Sequence, residues 1–318
     1  MNGSRHAATY EAGGEGALLG AAAGDMLVSG TRRAYGATVQ QMVFTAYHLL
    51  RSQPVEAEAI ATQLLEFAYP PDGRVSVYRS PSPWLAAFID EAKLSPPTPM
   101  PFSNAGAAIR AVPIGVWFRK EPESLIEGAI AAVGATHTRP ESSIVGSVVA
   151  GMVAAAGYGQ SGRDLVNGAV EVARRTERTL EVSTSIPAML ADTAELIAGS
   201  AKDVSAEVLS WGANDTEVEV IAMVVALASR AFEEASVVVR NAAGVVSHAD
   251  AVAPLVGAVV GARSGLHKWP WPLPNDLWFA ELGRRLARRK PVVEDLPDPY
   301  AVEEVLNYEL ATDTLVER

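Results

Sequence analysis

His248 and Asp250 stand two residues apart in the segment SHADA, a pairing suited to general acid–base work. An imidazole titrates near neutrality, and a neighbouring carboxylate raises its pKa into a useful range. Two residues apart on a helix the side chains diverge, so the pair works only if 247–250 is a loop or cap. A second constellation is Ser103-Asn104-Ala105-Gly106, with Arg110 one turn further on. The backbone N–H groups of such a loop can cradle a phosphate, and the following helix adds its dipole. Arg110 either pairs with that phosphate or anchors the loop through backbone carbonyls. His137, in ATHTRP, is either a structural histidine or a site residue. Asp25 closes GALLGAAAGD and reads first as a turn residue that accepts nearby backbone N–H groups.

The elements that position these residues are helical. The chain has 318 residues, 49% of them hydrophobic, with Ala, Val and Gly outweighing the aromatics. That composition favours closely packed helices, and strand-like alternation is scarce. The pattern predicts helices over 16–23, 40–51, 57–67, 84–93, 107–119, 122–135, 140–156, 162–175, 183–199, 206–209, 250–264 and 279–289, and one or two across 216–245. Gly265 reads as the stop of the helix before it. Pro-rich loops are expected at 69–83, 95–102 and 267–274. In and just after the last of these regions, Trp269, Trp271 and Trp278 either bury the loop against the bundle or offer a stacking surface. No composition break divides the chain. The reading is one helical domain over 1–290, with an acidic extension over 291–318 that lies on the surface or reaches away from it.

The net charge of −11 speaks against a nucleic-acid partner or an anionic membrane surface. The longest apolar stretch, 144–157, is shorter than a membrane span and reads as a core helix. The absence of cysteine removes disulfides, thiolate nucleophiles and Cys-type zinc sites, and a cytoplasmic protein fits best.

Separated segments, in order, resemble the landmarks of the ADP-ribosylglycohydrolase family. They are GALLGAAAGD at 16–25, ATVQQMVFTAYHLL at 37–50, SNAGAAIRAVPIGVWF at 103–118, ATHTRP at 135–140, and FEEA at 232–235 with SHADAVAPLVGAVVGA at 247–262. The resemblance implies a single-domain all-α orthogonal bundle with its ligand cleft where loops converge. It also implies cleavage at the anomeric carbon of ADP-ribose, assisted by two Mg²⁺ ions, and places His137 near the ribose and adenine.

Against that pattern the acidic ligands are mostly missing. Arg32 and Arg33 fall where the family has a Glu, Thr38 and Val39 replace its Asp pair, and His248 and Ala251 replace two more residues, leaving Asp250. The dimagnesium site therefore looks lost, and no cofactor is expected. The expectation is a protein that binds an ADP-ribosyl, NAD-like or nucleotide small molecule through Ser103, Asn104, Gly106, Arg110 and His137, without the usual hydrolysis. One alternative is a metal-independent hydrolase or lyase on an N-glycosidic or nucleotide-derived substrate, with Asp250 and His248 as acid and base. The other is a non-catalytic scaffold or regulatory partner.

Overall fold

Helix α1 (Gly3–Val28) carries glycines at 16, 20 and 24, one per turn along a single face. That bare stripe lets the backbone of α13 (Ala249–Ser264) approach to contact, Gly16 against Gly261, Gly20 against Gly257, Gly24 against Ala253. The pairings run antiparallel. Gly14 makes the same close approach to Gly283 of α14 (Asp276–Arg288), so α1 is gripped from two sides.

The structure is a computed structural model. It describes residues 3–29, 34–51, 54–69, 75–92, 99–100, 105–211, 215–231, 233–265, 269–290 and 295–316, with side chains placed from 10 to 312. Among the described residues there are fifteen α-helices and no strand, only one isolated bridge between Met100 and His137.

The other helices surround this spine. They are α2 (Ala37–Leu50), α3 (Ala57–Ala68), α4 (Pro83–Glu91), α5 (Ala111–Trp117), α6 (Pro122–Gly134), α7 (Pro140–Gly157), α8 (Gly162–Leu180), α9 (Ile186–Asp192), α10 (Ala201–Ser210), α11 (Thr216–Ala228), α12 (Ala235–Ala243) and α15 (Pro299–Val316). Proline opens α4, α6 and α7, where its missing N–H has no helical partner to lose. Helix α7, which contains the longest apolar run of the sequence, is buried from Ser142 to Ala150. It is a core helix.

Several boundaries differ from the sequence reading, the first helix most of all: expected over 16–23, it runs over Gly3–Val28. The stretch 107–119 opens with a 3₁₀ segment, Ala105–Arg110, before α5. The region 183–199 shortens to α9 and a 3₁₀ turn, Thr193–Glu195. In the acidic segment after 290, α15 packs on the bundle through Tyr300, Glu303 and Leu306, which are buried. Gly265 ends α13 in the left-handed conformation, φ +57°, as its position suggested.

Candidate functional site

The antiparallel register of α1 on α13 brings Asp25, near the end of one, beside Asp250, in the first turn of the other. Asp25 is buried, and its Oδ2 accepts the N–H of Gly36, which precedes α2. Burial pushes its pKa up to about 6; the Gly36 N–H and the Arg79 guanidinium oppose that rise, and the Asp250 charge adds to it. Asp250 is exposed. Thr38, at the start of α2, is half-buried and Val39 fully so, and this first turn holds no acid.

The start of the 3₁₀ segment meets the same end of the bundle. Ala107 and Ala37 pack in one cluster with Trp84, Leu85 and Val133, so the first residues of α2 and of the 3₁₀ segment adjoin. Ser103 and Asn104 lie outside the described residues; Ala105 is buried and Gly106 half-buried.

Arg110 and His137 are placed differently from a ligand-facing pair. Arg110 is fully buried and donates to the carbonyls of Ala132 and Val133, to Thr136 Oγ1 and to Gln41 Oε1. These hydrogen bonds to main-chain and side-chain oxygens are those of the anchor reading. Desolvation lowers its pKa to about 9. His137 is 1% exposed, its Nδ1 is 2.7 Å from Thr136 Oγ1, and its ring meets Trp84 edge-on. Burial, then the charge of Arg110, drives its pKa down to about 3, so the ring is neutral. Both residues form a layer beneath the surface of the site.

His248 does not pair with Asp250. It sits at the start of α13 in the left-handed conformation, φ 60°, and its Nε2 lies 3.1 Å from Glu219 Oε2. The 247–250 segment is thus a cap, as the pairing required, but the cap turns the imidazole toward α11. A second acidic group missed in the sequence lies on the same helix. Glu217 is fully buried, accepts from Ser142 Oγ, and faces Arg139, which also pairs with Asp215 and Glu141. Burial pushes the pKa of Glu217 up to about 7 against the pull of Ser142 and Arg139. Acids in the first turn of a helix are ordinarily solvated partners of its dipole, so nothing in TEVEV marks one as buried.

Among the described residues no three His, Asp or Glu side chains converge to hold a metal ion. Trp269 is buried against Trp271 with ring centroids 5.5 Å apart, while Trp278 donates to the carbonyl of Pro297. These tryptophans close loops against the bundle. A cavity of about 600 Å³ beside Glu234, Arg263 and Trp269 lies at the other end of α13 from Asp250.

Comparison with known proteins agrees with this architecture. The ADP-ribosylglycohydrolase family model matches residues 7–298. The chain belongs to the ADP-ribosylglycohydrolase family. A solved structure described as an ADP-ribosylglycohydrolase-related protein complex superposes with a TM-score of 0.57 at 16% identity, covering 88% of this chain and 99% of that one. That likeness is one of fold. No curated protein matches at a significant level.

Proposed function

We propose that the protein binds an ADP-ribosyl or related nucleotide where Asp25, the start of α2, Ala105–Gly106 and Asp250 meet, and that it does not run dimagnesium hydrolysis there. The observation that carries this reading is the carboxylate count at that end of the bundle. Two Mg²⁺ ions need several oxygen ligands to neutralise four positive charges. Among the described residues, Asp25 has one oxygen committed to Gly36, Asp250 is the acid of the first turn of α13, Glu219 is engaged by His248, and α2 opens with none. These residues do not fit a metal pair. Beyond the Gly36 and Ala37 N–H groups, which Asp25 and Arg79 take, the helix N-termini of α2 and α13 instead leave backbone N–H groups that favour a phosphate.

Isothermal titration with ADP-ribose, with and without Mg²⁺, tests this. Saturable binding that ignores Mg²⁺ is expected. Binding that requires Mg²⁺ would overturn the metal part of the reading, and no binding would overturn the ligand.

A second reading rests on the 3.1 Å contact of His248 with Glu219. A carboxylate-oriented imidazole beside an exposed Asp250 suits metal-independent cleavage of a glycosidic bond. Turnover of an N-glycosidic nucleotide, lost in both His248→Gln and Asp250→Asn, supports it. Unchanged turnover in Asp250→Asn removes it.

A further inference from the structure

Helix α15 reaches the candidate site through a continuous set of hydrogen bonds and one ion pair, buried at Glu303 and partly buried at Arg79. Glu303 is fully buried; its Oε1 accepts the Tyr35 hydroxyl at 2.8 Å and its Oε2 accepts Gln40 Nε2 at 2.8 Å. Arg79 pairs with the same Oε2 at 2.6 Å and donates to Asn307 Oδ1, one turn further along α15. Arg79 then brackets the start of α2. Its Nε donates to the Tyr35 carbonyl, its own carbonyl accepts the Ala37 N–H, and its N–H donates to Gln40 Oε1. Gly36, held between these two residues, gives its N–H to Asp25.

From this connectivity we infer that Glu303 is a positioning residue for the nucleotide site: it fixes Tyr35 and Arg79, and through them aims residues 36–38 at Asp25 and the ligand. This rests on the ligand reading above. The physical case is that a buried carboxylate accepting from Tyr35, Gln40 and Arg79 locks each donor, and a half-satisfied network of this kind loses its geometry as a unit. A carboxylate is also needed for charge, since Arg79 is 9% exposed and Glu303 is its buried counter-ion.

The test is amide hydrogen exchange on the full chain, read at Gly36 and Ala37, for Tyr35→Phe, Glu303→Ala and the double variant. Tyr35→Phe removes one hydroxyl and leaves the Arg79 ion pair, so it reports even if Glu303→Ala does not fold. Exchange at Gly36 and Ala37 is expected to quicken at least tenfold, with amides of α7 and α13 unchanged. The double variant should quicken it no further than Glu303→Ala, because both act through one relay. ADP-ribose affinity should fall at least fivefold in each variant. Unchanged exchange at Gly36 and Ala37 in Tyr35→Phe, or an equal rise throughout the chain, overturns the inference. If the parent protein binds no ADP-ribose, the ligand reading fails while the exchange result still decides the positioning role.

Discussion

Gly20 and Gly257 lie backbone to backbone: a Cβ placed on either would stand 2.0 Å from the carbonyl oxygen of the other. The contact recurs one turn away on each side, so a whole helix face depends on having no side chain. Because both partners are main-chain atoms in long helices, neither can yield locally. The same face sets the register that brings Asp25 beside Asp250, and so the spine and the site share one packing constraint.

Gly20→Ala should therefore destabilise the fold by about 3 kcal/mol or more, at the upper end of overpacking costs. The contrast is Gly36→Ala. At φ −98°, with its nearest neighbour atom 3.4 Å from an added Cβ, position 36 accepts alanine without strain. Its stability should be unchanged or raised by about 0.5 kcal/mol through the unfolded chain. Denaturant unfolding of the two variants beside the parent measures both; equal losses would mean that the helix contact is not the constraint.

Arg110→Lys is expected to cost about 3 kcal/mol despite keeping the charge. The guanidinium serves two carbonyls, a hydroxyl and an amide oxygen in a fixed plane, and an ammonium on a flexible stem cannot reach all of them. Buried acceptors left without donors each add a desolvation penalty. Chemical denaturation checks this, and a loss under about 1 kcal/mol would show that the network relaxes around lysine.

His137 should remain neutral across the range in which an ordinary histidine titrates. Its pKa lies near 3 because burial and Arg110 both disfavour the imidazolium. The ¹⁵N and ¹H shifts of its ring should hold constant from pH 8 to pH 5. A midpoint near 6.5 would mean that solvent reaches the ring.

The helices were legible because their signals are local. The glycine spacing of α1, the prolines that open α4, α6 and α7, and Gly265 each act within a turn of themselves. What stayed hidden is where a polar side chain ends up. Arg110 in a Gly-rich loop context has the same sequence appearance whether it meets a phosphate or the Ala132 carbonyl. Glu303 lies in an acidic segment that reads as solvated, yet becomes buried because Tyr35, Gln40 and Arg79, more than 220 residues away, converge on it. His248 caps α13, but its partner is Glu219 on another helix. Such pairings belong to tertiary structure, and no spacing rule within one segment finds them.

Glu217 supplies the sharpest dependence on pH. Its carboxyl is walled in by Ser142, Arg139, Asp215 and Glu141, and burial raises its pKa from 4.5 to about 7. Between those values the folded protein holds a proton that the unfolded chain gives up, so stability falls as pH rises, by about 1.4 kcal/mol per unit at most. Asp25 acts with the same sign up to about pH 6. His137 acts oppositely, because below pH 6.5 the unfolded chain takes up a proton that the folded ring refuses. Glu217→Gln isolates the first contribution, since the other two are common to variant and parent. The stability of the variant relative to the parent should rise by about 3 kcal/mol from pH 4.5 to pH 8, with the change complete near pH 7. Unfolding measured in urea at half-unit pH steps would show it. A flat difference would mean that Glu217 is ionised throughout, and that its pairing with Arg139 outweighs the cost of burying the charge.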